Sequence, residues 1–177
     1  MKRVAKFEKV SYEQFEKDYL DTYGLAGDDT SKRLRQEIES MYYGLELPTR
    51  ATKFSAGFDI RTPFPFTLKP GEVIKIPTGI KCRMNTDYVL LIFPRSGLGF
   101  KYQAQLANST AVVDCDYINS DNEGHIFIKL VNRGDKEFSV TSNTAISQGI
   151  FLEYGITEDD HVETERNGGF GSTDKKE

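Results

Sequence analysis

The chain has 177 residues, 38% of them hydrophobic, and a formal net charge of −4. That is enough length for one domain plus an appendage and enough apolar content for a packed core, which excludes wholesale disorder. Seven acids and three bases stand in 158–177, so this tail carries the whole imbalance, and the nearly neutral body offers no basic face for duplex nucleic acid.

The N-terminus, MKRVAKFEKV, has no apolar signal region, and no run reaches transmembrane length. The expectation is a cytoplasmic protein with no membrane association. Residues 1–45 read as a helical extension. Ser11 followed by Gln14 fits a capping box, with Phe15 and Tyr19 four apart beyond it, so a helix is predicted near 12–22. YGLAGDDTS breaks it, and KRLRQEIESMYY, with Leu34, Ile38 and Met41, predicts a second helix. Such short helices are marginal alone and are expected to dock on the main domain.

From 46 to 157 the texture changes to short strands between turns. Pro63 and Pro65 interrupt RTPFPF, and Pro70-Gly71 marks a turn. EVIKIP alternates in part, YVLLIF is a continuous apolar run, and HIFIKLVN places Ile126, Ile128 and Leu130 on one face. FSV and AISQGIFLEY follow. The series predicts an all-β sandwich or barrel, and the lack of a crossover helix disfavours a doubly wound fold. Residues 158–177 are polar, acidic and glycine-rich, and read as a flexible arm.

Several residues could carry chemistry. Pro94-Arg95-Ser96-Gly97-Leu98-Gly99 follows the most apolar strand, where an arginine, a hydroxyl and open backbone can hold phosphate oxygens; the competing reading is an ordinary turn. It lacks the Gly-Lys-Ser/Thr of a Walker loop. Asp114 and Asp116 flank Cys115, and either serves as a general base or is a solvated turn acid. Tyr117 beside them walls a pocket or rims a sheet. Asp59 either reaches a metal-bound water, anchors an arginine or satisfies a turn. Gln148 points into a polar site or lies at an edge. His125 and His161 have no ligand partner at a metal-site spacing, and no serine has an evident triad. Cys82 and Cys115 read as two reduced thiols.

Taken together and in order, SAGFDI, PRSGLG, LANSTAVVDCDYIN, AISQGIFL and RNGGFGST resemble the five motifs of the trimeric dUTPase family over roughly residues 45–174. The N-terminal forty-odd residues are similar to extensions of phage and Gram-positive bacterial members. The resemblance implies a distorted jelly-roll β domain over 46–157, a homotrimer whose active sites are shared between subunits, and a C-terminal arm, 158–177, closing over a neighbour's nucleotide. It implies hydrolysis of dUTP to dUMP and pyrophosphate with Mg²⁺. Asp114 is then the general base. Arg95, Ser96, Gly97 and Gln148 lie at the phosphates, Asn108 in the uracil pocket and Tyr117 under the deoxyribose. From the arm come Arg166, Phe170, Gly171, Ser172 and Thr173, with Phe170 on uracil and the others toward the phosphates. No direct protein ligand to the metal is implied; Asp59 is an organising acid.

The chain departs from the family pattern at Ala111, at Ser147, in the segment Ile118–Asn122, in the Arg166-to-Phe170 spacing and at Asp174. Two rival expectations stand beside the first: a dCTP deaminase or bifunctional deaminase of the same fold, and a phage-type regulator acting through a host protein. The extension itself is expected to brace the trimer.

Overall fold

The computed structural model describes residues 1–27, 31–164, 166 and 168. It opens with a strand absent from the sequence expectation, β1 (Ala5–Lys9), which pairs antiparallel with β6 (Ile80–Met84). The charges of AKFEK hide it, but Phe7 points inward and packs on Phe58 and Phe151 at ring distances of 5.5 and 5.7 Å.

Helix α1 (Tyr12–Tyr23) starts at Ser11, whose Oγ accepts from the Gln14 amide at 3.1 Å. The expected box is only half formed. The Ser11 amide donates instead to Glu123, at 3.0 Å, and Gln14 turns to Asp18 at 2.8 Å. A carboxylate 112 residues away has taken the place of the local side chain. Gly24, at φ 64°, ends α1 in the left-handed conformation that favours glycine. Helix α2 (Lys32–Tyr43) is capped by Ser31. Val10, Phe15, Leu20 and Ile38 form a small core between the helices. Tyr19 and Tyr23 meet Phe64 edge-on, so this core continues into the main one.

Among the described residues the chain holds four sheets, the β1–β6 pair and three others. The largest orders β2 (Thr49–Arg50), β3 (Phe58–Arg61), β12 (Ala145–Glu153), β7 (Tyr88–Pro94) and β9 (Ala111–Val113). A second orders β5 (Val73–Pro77), β10 (Phe127–Asn132) and β8 (Ala104–Leu106). β4 (Phe66–Leu68) pairs with β11 (Phe138–Val140). Ile126, Ile128 and Leu130 are all buried, as their alternation predicts, and join Ile76, Leu90, Ile92 and Ile146 in the core. The Pro70-Gly71 turn closes through Glu72 N–H to the Lys69 carbonyl at 3.0 Å, with Gly71 at φ 80°. PRSGLG is more than a turn: Ser96–Tyr102 is a short helix, α3.

Candidate active site

The antiparallel register places Asp59 on β3 beside Gln148 on β12, and Ser147 beside Pro94 at the end of β7. The Asp59 carboxylate meets the Arg95 guanidinium at 3.3 Å, with the Asp59 side chain largely buried. The Gln148 carboxamide lies over Gly57, where a Cβ would come within 2.6 Å of its Oε1. Arg95 is the N-cap of α3, and its carbonyl already accepts from Leu98 and Gly99. The amides of Ser96 and Gly97, in the first turn, therefore point beyond the helix end. Both residues are exposed, and a side chain at Gly97 would enter open space. One corner thus gathers Asp59, Arg95, Ser96, Gly97 and Gln148.

Asp114 lies elsewhere. β7 and β9 run antiparallel with Leu90 opposite Val113 and Ile92 opposite Ala111. Asp114, one residue past Val113, stands near Val89, whereas Arg95, just past the end of β7, lies six residues further along the chain. At about 3.3 Å per residue the two are roughly 20 Å apart. The structure brings the two groups of expected site residues to opposite ends of one strand. Asn108 is exposed in the turn that enters β9 from its Ile92 end.

At the Asp114 end the chain makes a 3₁₀ turn, Cys115–Asn119. Asp114 is its N-cap residue, but its side chain makes no capping bond. That carboxylate is half exposed and accepts from Arg166 Nη2 at 2.6 Å, while Arg166 Nε donates to Asp116 at 2.8 Å. Asp116, Asn119, Thr164 and Arg166 line a cleft of about 500 Å³. Tyr117 is buried, with the Arg166 guanidinium 5.9 Å from its ring centre, and burial raises its phenol above the ordinary value. Its hydroxyl donates to the His125 carbonyl at 2.9 Å. Phe170, Gly171, Ser172 and Thr173 lie outside the described residues.

Asp18, Glu123 and His125 also belong to this neighbourhood, and their place in it is not legible in the sequence. The one signal is Asp18 itself, a charge three residues from Phe15 on the apolar side of α1.

A family model described as dUTPase matches residues 44–174. A deoxyuridine 5'-triphosphate nucleotidohydrolase of Lactococcus lactis subsp. lactis is 39% identical over 133 residues, covering 73% of this chain and 89% of its own length. A crystal structure of dUTPase from Streptococcus mutans superposes with a TM-score of 0.58 at 34% identity, over 63% of this chain and 88% of that one. A dUTPase from phage phi11 of S. aureus shares the fold, with a TM-score of 0.56 at 20% identity over 72% and 92%.

Proposed function

The chain belongs to the dUTPase family, and from that membership we propose that it cleaves dUTP to dUMP and pyrophosphate by in-line attack of water on the α-phosphorus. The observation that carries the mechanism is the Asp114 carboxylate, which ends β9, caps nothing and stays half exposed beside Tyr117. It takes a proton from the attacking water as oxygen bonds to the α-phosphorus. The bond from the α-phosphorus to the bridging oxygen breaks, and pyrophosphate leaves with its electron pair.

The remaining roles follow from position. Arg95, Ser96, Gly97 and Gln148 hold the phosphate chain, with the free amides of the α3 first turn as donors. Asp59 keeps Arg95 in place. Asn108 reads the uracil edge; a pocket built for uracil leaves buried polar groups unpaired with cytosine. Tyr117 packs under the deoxyribose and leaves no room for a 2′-hydroxyl. Phe170 stacks on uracil, and Arg166, Gly171, Ser172 and Thr173 reach the phosphates. Arg166 donates to Asp114 Oδ2, so its transfer to an arriving triphosphate frees that oxygen for water.

Mg²⁺, when bound with the nucleotide, would supply charge neutralisation at the phosphates. Asp59, engaged by Arg95, would meet an ion that arrives with phosphate and water oxygens through its waters. Asp59 would orient those waters.

The roughly 20 Å between Asp114 and Arg95 supports sites shared between subunits of a homotrimer, because one nucleotide meets both groups when the Asp114 end of one copy faces the Arg95 end of the next. Exposed Val112 and Phe100 offer apolar surface for such packing. The Lactococcus relative, together with a docked segment ahead of residue 44, supports a phage or Gram-positive type with an N-terminal extension. No helix among the described residues is long and apolar enough to cross a membrane.

The test is pyrophosphate release from dUTP, dCTP, dTTP and UTP with Mg²⁺, wild type beside Asp114→Asn. Turnover confined to dUTP and lost in the variant supports the reading. Ammonia from dCTP would replace it with a deaminase, and a folded protein inert toward all four would leave a binding role.

A further inference from the structure

Beyond the family region, α1 grips the segment that follows the 3₁₀ turn at two points. At its start, Ser11 Oγ donates to Glu123 Oε1 at 2.5 Å and the Ser11 amide to Oε2 at 3.0 Å, while Lys81 donates to the same Oε2 at 2.8 Å. In its middle, Asp18 Oδ2 meets His125 Nδ1 at 2.6 Å. His125 is fully buried, and its Nε2 lies 2.7 Å from the Gly79 amide, which donates to it. That bond leaves the ring proton on Nδ1, so His125 donates to Asp18, which Gln14 also holds. Hydrogen bonds from His125 and Gln14 outweigh burial and lower the Asp18 carboxyl below its ordinary value.

His125 is thereby fixed in rotation and in place. Its carbonyl accepts from the Tyr117 hydroxyl at 2.9 Å, and Asn122 donates to that hydroxyl at 3.1 Å. Gly124, at φ 73°, lies so close that a Cβ there would come within 2.6 Å of the Ile118 Cα. The segment and the 3₁₀ turn are therefore one packed unit, and a shift of the His125 backbone moves Tyr117.

We infer that Asp18 and His125 are positioning residues through which the N-terminal extension sets the place of Tyr117, and so the discrimination between deoxyribose and ribose. This rests on the reading of Tyr117 as the wall under the sugar. The extension acts within its own subunit, through the third motif, and not merely as added bulk. A ring that must exclude one hydroxyl tolerates little displacement, and a hydroxyl bonded to a loosely held carbonyl would give that displacement.

The experiment compares kcat and KM for dUTP and UTP in wild type, Asp18→Ala and Asp18→Asn. The alanine variant leaves the His125 Nδ1–H buried without its acceptor, whereas asparagine still offers an oxygen. The ratio of kcat/KM for dUTP over UTP is expected to fall about tenfold in Asp18→Ala, mostly through KM for the two nucleotides, and to stay within about twofold in Asp18→Asn. An unchanged ratio in a folded Asp18→Ala that merely melts earlier overturns the inference and leaves a structural staple. Should that variant not fold, Glu123→Ala loosens the same segment at its half-exposed tie, and an unchanged ratio there overturns the inference equally. Wild type that fails to hydrolyse dUTP, or that accepts UTP equally, would instead sink the functional reading itself.

Discussion

Two polar contacts of equal length hold the segment from Asp114 to His125, and they are built for opposite purposes. Toward the interior, His125 meets Asp18 at 2.6 Å with side-chain exposures of 0% and 10%. Toward solvent, Arg166 meets Asp114 at 2.6 Å with side-chain exposures of 19% and 51%, so only the carboxylate end is open to water. Length does not rank them. The buried contact has no water to replace it, so it sets geometry and is costly to break. The half-exposed one competes with water and counter-ions at its carboxylate, so it is the weaker tie, and under the proposed reading it is exchanged for a phosphate. Under the proposed reading, a fixed sugar wall and a releasable arm call for both kinds.

That contrast can be broken most directly at its buried side. His125→Ala removes the acceptor of the Gly79 amide and the donor to Asp18, leaving both buried. Unfolding in urea should show a loss of about 3–5 kcal/mol, as for other buried pairs stripped of one partner. A loss below about 1 kcal/mol would mean that water fills the place and that burial confers no special rigidity. Gly124→Ala tests the packing beneath the same carbonyl. Its positive φ and the backbone 2.6 Å from the new Cβ should cost about 1–3 kcal/mol, read in the same denaturation experiment.

Acid acts on the half-exposed tie at Glu123. Burial opposes the Glu123 charge, but hydrogen bonds from Lys81 and Ser11 win and hold its carboxyl at about 2. An unfolded glutamate titrates near about 4.3. The folded value is the lower one, so the stabilisation is complete above the unfolded value and is lost as pH falls from there toward about 2. Thermal melts of Glu123→Gln between those limits should fall less steeply with acid than wild type; parallel curves would mean that Glu123 contributes nothing to acid sensitivity. The smallest stability effect belongs to the solvent side. Arg166→Ala should change unfolding free energy by less than about 1 kcal/mol. Steady-state pyrophosphate release should nonetheless drop by about a hundredfold, as the proposed contact of Arg166 with the phosphates requires. A large stability loss with intact turnover would reverse the assignment of the two contacts.

Much of the fold was legible because it is local. Ser11 announces a helix start through its own hydroxyl, YGLAGDDTS breaks that helix, and the alternation of Ile126, Ile128 and Leu130 declares a half-buried strand. β1 was not legible, because AKFEK is mostly charged and gains its partner only from β6. The missing half of the capping box is similar: Gln14 was the local candidate, but Glu123 arrives by folding and takes the amide. At the candidate site the five segments could be named, yet their division between the ends of β7 could not.

Residue type and spacing along the chain therefore marked most of the segments that form strands and helices, β1 and α3 excepted, and the side chains chemically able to serve a nucleotide, since caps, turns and alternation act over a few residues. Only the tertiary structure decided that Asp59 meets Arg95, that Arg166 reaches Asp114 and Asp116, and that a helix outside the family region ends its buried acid on His125. Such contacts join residues as many as 107 apart in the chain, and a charge or a ring nitrogen carries no mark of its partner until strand register and burial bring the two together.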